Sequence, residues 1–531
     1  MQNKDDTDLS KKVFKNVELE EKEQSKKGLN IFKLIVFLIN FAATVVLNLL
    51  LIKANFLPKN YLIIILVGLT LLNIFIAYLL FYKPSRLKNI LAAVIIIISL
   101  VAMIIASDAI NQLAKTIEKM NKPVETTVDI SVLVNADDVI DDLEDLDTEK
   151  VSYVEAELFS ADEKLSSLNK GKAYKAYPEL LTALINKDER VILLNENFRS
   201  VLEDLYPEFV ADTKIIYSTA DAKYLDELAK KREEILESRK AGDFSGTKSH
   251  ETVDPNLDED PLEGSVESYE DIKVDGTKPF TFYISGIDTY GSIDTTSRSD
   301  VNIMGVVNPI THKVLLVNVP RDSYVPIAGT GGYYDKLTHA GVLGVEASLA
   351  TMENLAGRDI STYVKVNFDS LIDIVDVLGG VTVYNPYEFS AGGYYYAKGN
   401  IRMDGKMALR FARERKSLPD GDNDRGRNQM RVIEGIIKEA TKVENLKNYR
   451  SLLDSVSSSF KTNLSSEAIA NLVKNELSTN EDWQVDSISI EGEGAMGLPS
   501  YFMPGYKLYF TELDKNSISE ARIKMAEALS Y

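Results

Sequence analysis

The chain has 531 residues, a formal net charge of −20 and a sequence pI of about 4.8. So acidic a surface repels a phosphate backbone almost everywhere, which argues against broad nucleic-acid binding. The sequence contains no cysteine, so disulfides, thiolate metal sites and a cysteine nucleophile are excluded.

Near the start stand three apolar stretches, Leu34–Ile52, Tyr61–Tyr82 and Asn89–Ala106. Each is long enough to cross a hydrocarbon core roughly 30 Å thick. The first starts late and is followed by two more, which fits membrane spans rather than a cleaved signal peptide. Lysine and arginine in the flanks set the orientation. The tail before the first span carries Lys4, Lys11, Lys12, Lys15, Lys22, Lys26 and Lys27, and the second loop carries Lys83, Arg86 and Lys88; the first loop has only Lys53 and Lys59. The expectation is a multi-pass plasma-membrane protein with an inner tail (1–33), three spans (34–106) and everything later outside the cell.

Residues 112–240 mix strand-like runs (Val128–Val134, Glu189–Asn195) with a helical pattern at Lys175–Ile185, the signature of a small α/β accessory domain without a catalytic motif. The stretch 241–278 holds eleven acids against three lysines. It buries too little apolar surface to offset its ordering entropy and reads as an acidic flexible linker. In the last domain, 279–531, buried strands are expected at Phe280–Ile287, Val301–Asn308, Val314–Val319 and Tyr363–Phe368. Helices are expected at Gly344–Gly357, Ser370–Gly380 and Asn428–Val443. Strands alternating with helices predict an α/β fold, a mainly central β-sheet flanked by helices.

Three features of this domain bear on chemistry. Asp288 closes one strand and Asp300 opens the next; an antiparallel pairing would put both carboxylates at one sheet edge. Two carboxylates completed by water and phosphate oxygens suit Mg²⁺, and capping of a turn is the plainer alternative. Arg321 follows Pro320 where a strand ends, the end of a sheet at which ligands collect; a surface pair with Asp322 would look the same. The stretch 410–431, RFARERKSLPDGDNDRGRNQMR, packs six arginines among four acids. If the chain leaves its helix near Ala412, Arg413 and Arg415 share a side. Arg425 and Gln429 share a face of the next helix near its positive end. Several guanidinium forks on one point suit a diphosphate; a salt-bridge network with Glu414, Asp420, Asp422 and Asp424 is the other reading.

The motifs GIDTYGSIDTTSRSDVNIM, VPRDSY, KLTHAG, VDVLGGV and ALRFARERKSLPDGDNDRGRNQ, in this order over about 279–450, resemble the LytR-CpsA-Psr (LCP) family. The tail, three spans and accessory domain resemble its streptococcal capsule-assembly members. The resemblance implies a Mg²⁺-dependent phosphotransferase that moves a glycopolymer, of capsular or teichoic-acid type, from a polyprenyl-diphosphate carrier to peptidoglycan. It implies Asp288 and Asp300 as metal ligands, and Arg298, Arg321, Arg413, Arg415, Arg425 and Gln429 as diphosphate contacts. Asp288, Arg321 and Arg413 would be catalytic, Asp288 as acceptor of the proton from the attacking muramic-acid hydroxyl. Many members have Arg-Gln in the last motif where this chain has Asn428-Gln429. Arg427 sits one position earlier, about 100° round a helix, and is not assigned to the site. A diphosphatase using water, a non-catalytic envelope scaffold and an envelope regulator are the competing readings; no basic stripe or helix-turn-helix pattern favours the last.

Overall fold

The structure, a computed structural model, describes residues 2–54, 59–120, 128–241 apart from 147 and 155, and 274–530 apart from 288, 290–292, 443, 446–448 and 480. Most of the acidic linker therefore lies outside the described residues, as does Asp288. The chain divides into two compact units: one holds the N-terminal helices, the other nearly all of residues 116–531.

In the first unit, helices α1 (Gln2–Ala54), α2 (Lys59–Phe81) and α3 (Arg86–Met120) contain apolar segments long enough to span a membrane: Lys27–Lys53, Tyr61–Phe81 and Arg86–Gln112. Ile76, Leu79, Leu80, Ala92 and Ile96 form an apolar cluster. Beside it lies a polar one, in which Asn40 Nδ2 donates to Asn73 Oδ1 (3.0 Å), Asn73 Nδ2 to Thr44 Oγ1 (2.9 Å) and Ser99 Oγ to Asn40 Oδ1 (2.6 Å). Such interhelical bonds hold spans together where lipid offers polar groups no alternative partner.

The second unit opens with a five-stranded sheet of β1 (Ile130–Asn135), β2 (Val151–Tyr153), β3 (Lys170–Ala173), β4 (Val191–Asn195) and β5 (Thr213–Ser218), in the order β3-β2-β4-β1-β5. The helix Tyr177–Ile185 starts with Pro178 in its first turn, where the missing N–H costs nothing. Its Leu180, Leu181 and Leu184 pack on Val132, Leu133 and Leu193.

Beyond the linker come β6 (Phe280–Ile287), β7 (Ser299–Asn308), β8 (Lys313–Asn318), a short hairpin of β9 (Tyr324–Pro326) and β10 (Tyr334–Lys336), and β11 (Thr362–Val366). A second, smaller layer follows: β12 (Val381–Asn385), β13 (Phe389–Ala391), β14 (Tyr394–Tyr396) and β15 (Gly399–Met403), with β12 paired to β15 and β13 to β14. The chain ends with β16 (Phe460–Thr462), β17 (Gln484–Ser489), β18 (Gly492–Met496) and β19 (Tyr509–Leu513). The central sheet runs β16-β11-β6-β7-β8-β17, with β6, β7 and β8 antiparallel, β11 parallel to β6, β17 parallel to β8, and β16 antiparallel to β11.

Alternate residues of this sheet go to opposite faces, and both faces are covered. Tyr283, Met304, Val306 and Val317 pack on Met352 and Ala356 of the helix Val345–Ala356 and on Ala521 and Met525 of the helix Lys515–Leu529. Phe282, Ile303 and Leu316 pack on Met430 of the helix Gly421–Ala440. Double coverage is why these strands read as continuous apolar runs. Val201 and Leu205 of the accessory domain join the first of these cores, and Phe198 meets Phe502 at 5.8 Å between ring centroids. The two domains, far apart along the chain, share apolar packing.

Candidate active site at the carboxyl end of β8

β6 and β7 pair antiparallel, as the placement of the two aspartates requires. Gly286 faces Val301 and Ile287 faces Ser299, so Asp300 is the extra residue of a β-bulge. Bulges re-aim a side chain and recur beside active sites. Asp300 Oδ2 accepts from Arg321 Nη1 at 2.5 Å, and Oδ1 accepts from Thr338 Oγ1 at 2.9 Å. Arg321 comes from the other side of the site: β8 ends at Asn318, Val319 N–H donates to Asn302 O at 2.9 Å, and Pro320 has no N–H to continue the ladder.

The helix Gly421–Ala440 begins seven residues before the start expected at Asn428. Its first two turns, GDNDRGR, carry no apolar stripe, so periodicity could not locate them. Gly426 brings these turns against the end of β8: a Cβ there would stand 2.5 Å from Asn318 Nδ2. The close approach sets Arg425 and Gln429 around a small recess with Asp300, Asn318 and Arg321.

Burial pushes the Asp300 carboxyl up, yet the guanidiniums of Arg321, Arg298 and Arg425 and the Thr338 hydroxyl outweigh it and hold the group well below the usual carboxylate range. Arg298, 5% exposed, is therefore part of the same field. Asp322, beside Arg321, is likewise held low against its burial, chiefly by Lys336, whose Nζ lies 3.1 Å from Oδ1.

Four arginines of the 410–431 stretch, Arg413, Arg415, Arg425 and Arg427, separate into three groups. Arg425 lines the recess and pairs with Asp422 at 2.7 Å. Arg427 is bound to Asp420 (2.8 Å) and Asp424 (2.9 Å), so the salt-bridge network forms around this residue and keeps it away from the recess. Arg413 and Arg415 are exposed and do not line the recess. The helix Gly405–Arg413, capped by Asp404, ends one residue later than expected, at an extended Glu414. Arg413 stacks over Phe368 at 4.0 Å, and the Phe368 N–H donates to the carbonyl of Thr289 at 3.2 Å. The side chain is thus held beside the segment that follows Asp288. Of the expected site residues, Asp300, Arg298, Arg321, Arg425 and Gln429 come together; Arg413 and Arg415 stand apart, and Asp288 lies outside the described residues.

The donor chemistry suits a hard divalent cation. Among the described residues no group of three His, Cys, Asp or Glu side chains gathers. Asp300 is ionised, and each of its oxygens, with one hydrogen bond, keeps a further lone pair. A cation held there would take its remaining ligands from water and substrate oxygens, as is usual for Mg²⁺. Thr338 and Asn318 were not singled out by sequence reasoning; for Thr338 the motif KLTHAG was the available signal.

Fold and recess define a class: a membrane-anchored α/β protein whose arginines converge on an ionised carboxylate at the carboxyl end of a central strand. A family model described as the LytR_cpsA_psr family matches residues 240–518. The chain belongs to that family. A relative from Bacillus anthracis (strain CDC 684 / NRRL 3495), named polyisoprenyl-teichoic acid–peptidoglycan teichoic acid transferase TagU, is 36% identical over 239 residues, 44% of this chain and 76% of the relative. The protein of the same name from Bacillus mycoides (strain KBAB4) is 34% identical over 263 residues, 48% of this chain and 85% of the relative. The crystal structure of B. subtilis TagV aligns at 26% identity and a TM-score of 0.42, over 48% of this chain and 98% of that one.

Proposed function

We propose that this protein transfers a glycopolymer, of teichoic-acid or capsular type, from a polyprenyl-diphosphate carrier to peptidoglycan at the outer face of the plasma membrane. The reading rests on one observation above others: Arg321 and Arg425 line one recess with Asp300 at the end of β8, and Arg321 Nη1 donates to Asp300 Oδ2 at 2.5 Å. Two guanidinium forks at one recess, with Arg298 buried nearby, match the many oxygens of a diphosphate better than they match a single carboxylate. The names of the relatives support the substrate class.

In this mechanism a peptidoglycan hydroxyl forms a bond to the sugar-linked phosphorus, and the bond to the departing polyprenyl phosphate breaks. The protein positions the two reactants and stabilises charge that spreads over the phosphoryl oxygens. Arg321 and Arg425 would hold the bridging and non-bridging oxygens, Gln429 would donate from the same helix face, and Arg298 would supply field from behind Asp300. Arg413 and Arg415, exposed and outside the recess, would meet the diphosphate as it enters. Asp300 and Asp288 would hold Mg²⁺, which when bound neutralises part of the diphosphate charge. Asp288 would also accept the hydroxyl proton. The three spans keep the enzyme in the same membrane as its lipid carrier, which raises their effective concentration.

The test uses the full chain in lipid nanodiscs with a polyprenyl-diphosphate-linked saccharide and peptidoglycan fragments, with Mg²⁺ or with chelator. Arg321→Ala should lower transfer roughly 10²- to 10³-fold, and chelator should abolish it. Near-normal transfer by Arg321→Ala would overturn the reading. A reporter fused after Tyr531 should be active only outside the cell.

A further inference from the structure

Residues 336–341, KLTHAG, run from the end of β10 into the turns of a short 3-10 helix (Leu337–Leu343) and meet the site at several points. Lys336 pairs with Asp322. Thr338, 1% exposed, donates its hydroxyl to Asp300 Oδ1 at 2.9 Å and its N–H to the carbonyl of Arg321 at 2.9 Å. It is therefore bonded to both members of the Asp300–Arg321 pair. Gly341 presses on the chain around Arg298; a Cβ there would lie 2.5 Å from both Ser297 O and Ser299 N.

The same turn is anchored from behind. His339 Nδ1 lies 2.7 Å from Asp335 Oδ1, and both residues are almost fully buried. The other Asp335 oxygen accepts from Ser500 Oγ and from Phe502 N, each at 2.7 Å. With the Lys336 N–H, which donates to Asp335 Oδ1 at 2.6 Å, four groups hold this carboxylate, and one so held in the interior does not move cheaply. The neighbouring Thr338 is fixed by that anchor as much as by its own bonds.

We propose that Thr338 is a positioning residue for the transfer reaction, its hydroxyl setting the rotation of the Asp300 carboxylate and its N–H setting where Arg321 leaves the strand. A carboxylate turns easily about its terminal torsion. Held at one oxygen by Thr338 and at the other by Arg321, Asp300 has a single orientation. Without the hydroxyl it swivels, and the Arg321 fork follows it. Loss of such preorganisation lowers the rate of the chemical step more than the binding of substrate.

The inference rests on the transferase reading, and the experiment separates the two. Thr338→Val, which keeps the shape, and Thr338→Ser, which keeps the hydroxyl, are compared with Arg321→Ala in the full chain, with the lipid-linked saccharide as probe. Thr338→Val should lower kcat roughly 10- to 100-fold at nearly constant KM and melting temperature. Thr338→Ser should recover kcat to within roughly threefold of the native enzyme. Native-like kcat in Thr338→Val, equal impairment of both variants, or a loss that follows the melting temperature would overturn the positioning role. If Thr338→Val does not fold, Thr338→Ala takes its place, with the same outcomes against Thr338→Ser. An active Arg321→Ala sinks the transferase reading; an inactive Arg321→Ala beside a normal Thr338→Val sinks the positioning role alone.

Discussion

The bundle of apolar helices and the C-terminal domain each bury a cluster of polar side chains, and the two clusters are built in opposite ways. Asn40, Thr44, Asn73 and Ser99 are neutral and bond to one another, with the Thr44 hydroxyl also returned to the Asn40 carbonyl at 2.9 Å. Such a cluster has spent its donors on itself and acts as a clasp between helices. Around Asp300 the groups are charged, and three guanidiniums bear on one carboxylate. Asp322 and Asp422 stand among the same cations, so the charges nearly balance, but guanidiniums at the end of a strand and beside a recess can still turn to an anionic ligand that arrives from outside. A closed neutral cluster marks a joint, and a charged one that opens on a recess marks a site.

This contrast can be broken by substitution, most severely at the site. Arg321→Ala should cost transfer roughly 10²- to 10³-fold, whereas Asn73→Leu in the bundle should leave kcat unchanged; equal losses would erase the distinction. A lone buried charge sharpens it through pH. Lys365, 3% exposed on β11, donates to the carbonyl of Thr295 at 2.9 Å. Burial pushes its ammonium down to about 8 from the ordinary 10.5, against the opposing pull of Asp294 and Glu346, while Lys461 adds to the fall. Between those two values the unfolded chain keeps a proton that the folded chain has lost, so stability rises with pH. Denaturant unfolding of the native protein and Lys365→Met should show the native protein gaining on the variant by about 1.4 kcal/mol per pH unit in that window.

Smaller effects are expected where groups are already matched. Asn73→Leu should destabilise the bundle by about 0.6–2 kcal/mol, read by unfolding in detergent. Arg427→Gln removes a partner shared by Asp420 and Asp424. It should cost about 1 kcal/mol or less in stability and scarcely change kcat, whereas Arg425→Gln, at the recess, should lower kcat at least tenfold, by an estimate of roughly 1.4 kcal/mol. Should Arg427 prove the more damaging of the two, the division between network and site arginines drawn from the contacts is wrong.

Much of this protein was legible along the chain. The three apolar stretches, the strands from Phe280 to Ile287 and from Val314 onward, and the helix Val345–Ala356 all follow from local apolar patterning. Such patterning weakened where function intervened: the polar first turns of the helix Gly421–Ala440 looked like a loop because they serve the recess rather than the core. Six arginines within 22 residues pointed either to an anion site or to a salt-bridge network, and their spacing could not say which residue served which.

The sequence by itself determined the inventory: membrane spans, the order of strands and helices, and a set of arginines and aspartates too concentrated to be ordinary surface. Only the tertiary structure decided their assignment. A bulge put Asp300 out of register, Gly426 let a helix close on the end of β8, and acids at positions 420 and 424 claimed Arg427. It also joined Val201 and Leu205 to a core on the far side of the linker. The reason is one of range. Patterning acts over a few residues, while the meeting of Asp300 with Arg321, Thr338 and Arg425 depends on strand register and helix packing between segments 21 to 125 positions apart.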